Sequence, residues 1–164
     1  DYEGFISAFQ LVDFSLKDKT AVILGAGGAA RAVIYGLFSS GIKKIYIGAR
    51  NVEKAQKTAD AFKNLGNIVV YDWAADDFKE ILGQVPLLIN TTPLGMYPDI
   101  DKMPPIDVSL LASKALVYDI IYTPEKTKLL IEAEKDGHTI LNGEYMLASQ
   151  GAAALKKWIG CWLI

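Results

Sequence analysis

At 164 residues, half of them apolar and with a formal net charge of −2, the chain fits one domain with a sizeable core and offers no electrostatic case for nucleic acid or an anionic membrane. One cysteine, Cys161, and one histidine exclude an internal disulfide and make a poor metal set, so no metal is expected. No apolar run nears the ~20 residues of a membrane helix and no signal peptide opens the chain, which makes the cytoplasm the expected compartment.

Residues 1–12 predict a helix, with Phe5, Ala8, Phe9 and Val12 at helical spacing and Asp1 where an N-cap sits. After a polar connector, residues 21–24 form a short apolar run of strand type. A helix over 29–40 follows, and Gly41 closes it. The pattern then alternates: strand 44–48, helix 52–65 closed by Gly66, strand 68–71, helix 76–82 and strand 86–90. Residues 91–105 form a long loop rich in Pro and Gly, a length that in compact domains usually serves function. Strand 115–120, helix 127–135, strand 139–141 and helix 145–158 complete the series. Such alternation predicts an α/β fold, a doubly wound parallel sheet of Rossmann type with helices on both faces. Ligands in these sheets bind beyond the carboxyl ends of the strands, where the glycine turn, Arg50, Asn90-Thr91-Thr92 and Tyr122 would converge.

Between the first strand and its helix runs Gly25-Ala26-Gly27-Gly28-Ala29-Ala30, the dinucleotide fingerprint in its G-x-G-x-x-A form. Gly25 permits the tight turn, Gly27 lets the backbone approach a pyrophosphate, and Ala30 lets helix and strand pack closely. The helix start supplies free N–H groups and a positive dipole end. An ordinary tight turn would read the same in isolation; the strand before it and the helix after it favour a nucleotide. NAD enzymes of this fold place an acid about 20 residues beyond the glycines, for the ribose 2′-hydroxyl. Here the second strand ends Gly48-Ala49-Arg50-Asn51 and the first acid beyond is Glu53. Arg50 can pair with a 2′-phosphate, which favours NADP over NAD. Lys54 and Lys57, on the next helix, read as ordinary solvated residues.

Five separated stretches resemble the cofactor-binding domain of shikimate dehydrogenases, enzymes that reduce 3-dehydroshikimate with NADPH. They are Asp1-Tyr-Glu-Gly4-Phe5, Gly25 to Ala32, Asn90-Thr-Thr-Pro-Leu-Gly95-Met96, Asp119-Ile-Ile-Tyr122-Thr-Pro124 with Thr127, and Asn142-Gly143 with Met146-Leu147 and Gln150. The resemblance implies that Asp1 is the active-site aspartate, which in the family shares proton transfer with a lysine at the reacting hydroxyl or ketone. It implies substrate contacts by Tyr122 and Gln150. Cofactor contacts would come from Gly25, Ala26, Gly27, Gly28, Ala29, Arg50, Asn90, Thr91 and Thr92, with Gly143 and Met146 near the nicotinamide. Read without the family, Asp1 is a helix cap and Met146 is core.

The sequence also departs from the family pattern. Ala49-Arg50-Asn51 stands where Asn-Arg-Thr is usual, and Asn142 and Glu144 differ from the commoner residues around Gly143. The substrate domain that precedes this one in the family, with its lysine, has no counterpart in these residues. The chain is therefore expected to be the cofactor half of a larger enzyme, inactive alone. Its apolar run Trp158-Ile-Gly-Cys-Trp162-Leu-Ile164 is expected to meet the other domain or to drive self-association. A quinate/shikimate dehydrogenase using NAD and a non-catalytic dinucleotide-binding module are the competing readings.

Overall fold

In the computed structural model, which describes residues 2–161 and the side chains of 2–159, all six strands run parallel in one sheet. The chain begins with α1 (Tyr2–Ser7), which tightens into a 3-10 segment at Ala8–Val12. There follow β1 (Thr20–Leu24), α2 (Gly28–Ser39), β2 (Lys44–Ala49), α3 (Val52–Ala61), β3 (Asn67–Asp72), α4 (Asp76–Leu82) and β4 (Leu87–Asn90). A loop with a 3-10 turn at Val108–Leu110 leads to β5 (Leu116–Asp119), α5 (Lys128–Lys135), β6 (Thr139–Leu141) and α6 (Glu144–Cys161). The strand order is β3-β2-β1-β4-β5-β6, so the direction of winding reverses between β1 and β4. That reversal opens a crevice at the carboxyl edge, directly over the glycine turn.

Alternation along the central strands divides the core into two layers. Ala21 and Ile23 of β1, Leu87 and Ile89 of β4, and Leu116 and Tyr118 of β5 face a cluster that includes Phe5, Ile34 and Leu37. Val22, Leu24, Leu88 and Val117 face the opposite cluster, with Phe78 and Leu82 of α4 and Leu129 and Leu130 of α5. Both faces are covered, as the sequence predicts.

Gly41 adopts φ +87°, and the Ile42 and Gly41 N–H groups donate to the carbonyls of Leu37 and Phe38. This is the paired C-terminal closure that a left-handed glycine allows. Many boundaries shift by one to three residues, α6 reaching Cys161 where the sequence predicts 158, and two helix ends differ for a local reason. The first helix gives way to the 3-10 segment and stops at Asp13, in the left-handed region at φ 50°, where the chain doubles back and brings Phe14 against Phe9. The third helix ends at Ala61, not 65. Gly66 serves the close approach of Phe38, whose ring would collide with any Cβ there, and is not a left-handed cap.

Candidate functional site: the carboxyl edge of the sheet

Gly25 leaves β1 at φ +97°, and its N–H donates to the Gly48 carbonyl across the sheet at 2.9 Å. A Cβ at this position would stand 2.9 Å from the Thr92 methyl and 3.0 Å from the Thr91 hydroxyl, so only glycine fits. Gly27 is the N-cap of α2 in ordinary extended conformation, and a Cβ added to it or to Gly28 would meet no atom within 4 Å. The turn therefore exposes backbone to open space at a helix N-terminus, the arrangement that suits a pyrophosphate. Ala29 is exposed on this turn, and Ala30 is fully buried against the sheet. The Ala26 carbonyl accepts from the Thr58 hydroxyl of α3 at 3.2 Å, which fixes the outer limb of the turn.

A cleft of about 300 Å³ runs from Gly25-Ala26-Gly27 past Ala49, Arg50 and Lys54 to Trp73, and along Thr91 to Leu94. Arg50 and Lys54 form no ion pair with a described residue, whereas Glu53 is drawn to Lys57 at 3.0 Å. Asn51 caps α3 by accepting the Lys54 N–H at 2.9 Å, which sets the helix start beside the cleft. Lys54 is thus part of the cleft and not merely a solvated residue, in contrast to the expectation from sequence. Lys57 remains on the exposed face. The half-buried Trp73, just past β3, also lines the cleft, and sequence reasoning misses it. An aromatic residue following a strand of this sheet is the signal that could have found it.

A second cavity, about 420 Å³ and mostly apolar, continues from the first along the edge. Thr91, Thr92 and Pro93 line both cavities, and Met96, Tyr97 and the segment Ile120 to Thr123 complete the second. Tyr122 stands in its mouth, about half exposed. The loop after β4 is held over it by the Tyr97 N–H, which donates to the Thr123 carbonyl at 3.0 Å.

Asn90 is fully buried, and its amide is engaged within the protein. Nδ2 donates to Asp119 at 3.1 Å, while Oδ1 accepts from the Thr92 N–H and hydroxyl at 3.0 and 2.7 Å. Thr91 donates its hydroxyl to the Leu24 carbonyl at 2.7 Å. These two residues shape the wall of the cleft, and Thr92 presents it. Gly143 is buried where the Ile120 carbonyl would collide with any Cβ, and its N–H donates to the Ile121 carbonyl. It ties the start of α6 to the segment lining the second cavity. Met146 is half-buried against the core beside α1, and Gln150 lies one turn further along α6; neither is among the described residues that line these two cavities. Asp1 lies outside the described residues. Among those described, no cluster of His, Cys, Asp or Glu could hold a metal, and no helix is long and apolar enough to cross a membrane.

Residues 7–93 match the family model described as shikimate / quinate 5-dehydrogenase. A shikimate dehydrogenase (NADP(+)) of Nostoc sp. is 40% identical over 167 residues, covering 97% of this chain and 56% of that protein. The chain thus spans little more than half the length of such relatives. The Listeria monocytogenes shikimate 5-dehydrogenase, solved with shikimate and NAD, superposes with a TM-score of 0.86 at 29% identity over 98% of this chain and 57% of that one. A shikimate dehydrogenase solved with NADP+ gives 0.77 at 35% identity, covering 98% and 56%. With the parallel sheet, the open glycine turn and the cleft beside it already in place, these matches establish that the chain belongs to the shikimate / quinate 5-dehydrogenase family.

Proposed function

We propose that the chain is the NADP(H)-binding half of an enzyme that interconverts shikimate and 3-dehydroshikimate. The observation that carries this reading is the cleft itself, with an uncluttered glycine cradle at one end and, at the other, two cations, Arg50 and Lys54, that no described residue pairs with. The residues present fit such a cofactor. Gly25 to Ala29 would hold the pyrophosphate through backbone N–H groups. Arg50 and Lys54 would hold the 2′-phosphate, with Trp73 walling the adenine side. Bound there, the nicotinamide supplies or accepts a hydride at the reacting carbon. Thr91, Thr92 and Pro93 line both cavities, so they would set the angle at which the nicotinamide enters the apolar cavity. Met96 and Ile121 would keep water from it, and Tyr122 would face the ring of the hydroxy acid from the cavity mouth. Gln150, on α6 outside the cavity lining, would contact the substrate where the preceding domain closes the site. Asp1 is proposed as the proton-transfer aspartate, working with a lysine from the domain that precedes this one in the relatives.

Calorimetric titration tests the cofactor assignment. The chain should bind NADPH more tightly than NADH, and Arg50→Ala should lose about tenfold or more of that preference, in line with the ~1.5–3 kcal/mol of a charge-assisted hydrogen bond. Equal affinity for the two cofactors in the unmodified chain would overturn the NADP assignment and favour a quinate/shikimate dehydrogenase using NAD.

A further inference from the structure

Asp119 ends β5 with no exposed surface, directly opposite Asn90 in the sheet register. Three donors from three segments converge on its carboxylate. Oδ1 accepts from Asn90 Nδ2 and from the Ile121 N–H, both at 3.1 Å, and Oδ2 accepts from the Thr127 hydroxyl at 2.7 Å. Each donor is connected onward. Asn90 Oδ1 holds Thr92, which lines both cavities and meets the glycine turn at Gly25. Ile121 belongs to the wall of the apolar cavity, and its carbonyl holds Gly143 at the start of α6. Thr127 caps α5 by accepting the Leu130 N–H at 3.4 Å. A carboxylate accepts without donating, through two oxygens, so it can serve all three donors at once.

We propose that Asp119 is the positioning residue of the cleft, its carboxylate joining the turn after β4, the segment after β5 and the start of α5 into one wall. No charged side chain among the described residues pairs with it. A buried acid kept without an ionic partner is costly, and burial pushes its pKa up to about 6 despite the three hydrogen bonds, which pull the other way. That cost is expected where convergence of segments matters more than local stability. The effect on cofactor affinity rests on the dinucleotide reading above; the effect on the wall does not.

The test combines NADPH calorimetry with amide hydrogen exchange at Thr92, a group that Asp119 reaches only through Asn90. Asp119→Ala should weaken NADPH binding about tenfold or more and speed Thr92 exchange, consistent with losing hydrogen bonds to a charged group. Asp119→Asn keeps an acceptor toward Asn90 and Ile121 and can donate to Thr127, so it should hold affinity within about threefold and keep Thr92 protected. Thr127→Val, close in shape, cuts the α5 link and provides the comparison if the alanine variant does not fold; it should weaken binding and speed the same amide. Unchanged affinity and unchanged Thr92 exchange in a folded Asp119→Ala or in Thr127→Val would overturn the proposal, as would an asparagine variant as impaired as alanine. If the unmodified chain binds no NADPH, the cofactor reading fails alone and Thr92 exchange decides the positioning role.

Discussion

Gly27 and Gly25 stand two residues apart and are glycines for different reasons. Gly25 has a left-handed backbone and the Thr91-Thr92 wall against it, so a side chain there strains the fold. Gly27 has neither constraint; what it needs is the empty space beside it. Gly27→Val should therefore leave the domain folded, with an unfolding midpoint close to that of the parent, yet abolish NADPH binding by filling the pyrophosphate's approach. A folded Gly27→Val variant with parental affinity in the same titration would refute this use of the turn. At Asp119 the residue-scale consequence is a pH dependence with a definite sign. Its pKa in the folded state, about 6, lies above the ordinary 3.8, so the folded chain binds the proton more tightly. Stability from this group is complete below about pH 4 and is lost as pH rises through 6. About two pK units correspond to about 3 kcal/mol. Urea unfolding from about pH 4 to 7 should show the parent losing roughly that much relative to Asp119→Asn, which does not titrate. Parallel curves for the two proteins would refute the shift.

At the scale of elements, α1 is wedged between α2 and α6 by glycines. A Cβ on Gly36 would meet Tyr2 at 3.0 Å and Ile6 at 3.2 Å, and one on Gly4 would meet the Met146 carbonyl at 3.0 Å. Gly36→Leu should push α1 outward, costing about 1–3 kcal/mol by overpacking, and amide exchange should rise in residues 2–9 before it rises in β1. Uniform destabilisation without that local signature would mean that α1 is not separately docked. This wedge is absent from any sequence pattern, because the partners lie on different helices. The strands were legible, since Ala21 to Leu24 and Leu87 to Ile89 are uninterrupted apolar runs of the kind that buried parallel strands require. The helix over 52–65 was overextended, because composition favours helix up to Leu65 while the backbone leaves helical geometry at Phe62 and continues in tight turns toward Gly66. The glycine turn and Arg50 were legible as chemistry. Lys54 and Trp73 were not, because α3 and the end of β3 reach one cleft only through the register of β2 and β3. Asp119 was legible only as the first residue of a stretch that resembles the family, because its role depends on pairing with Asn90 across the sheet.

For the whole molecule, the decisive feature is what lines the apolar cavity. Among the described residues its walls are Thr91 to Pro93, Met96, Tyr97 and Ile120 to Thr123, with no carboxylate, histidine or lysine among those. Reducing a ketone requires a proton donor at the developing alkoxide, and oxidising an alcohol requires a base. In the proposed enzyme, Asp1 and a lysine from the other half of the relatives' length would fill those roles. Tyr97 and Tyr122 are respectively 69% and 49% exposed, so this side of the cavity is open and cannot by itself align a substrate. Misplacement by an ångström already costs on the order of a hundredfold in rate. On α6, Leu155, Trp158 and Ile159 are each more than half exposed, an apolar face suited to burial against another domain and, without one, to self-association. The 164-residue chain should therefore bind NADP(H) yet show no shikimate-dependent reduction of NADP+. Adding the separately expressed preceding domain of a close relative should restore turnover and also shift any self-associated species in sedimentation toward a one-to-one complex. Measurable turnover by the chain alone would place the proton-transfer chemistry within these residues, and would remove the need for a second half in the reaction.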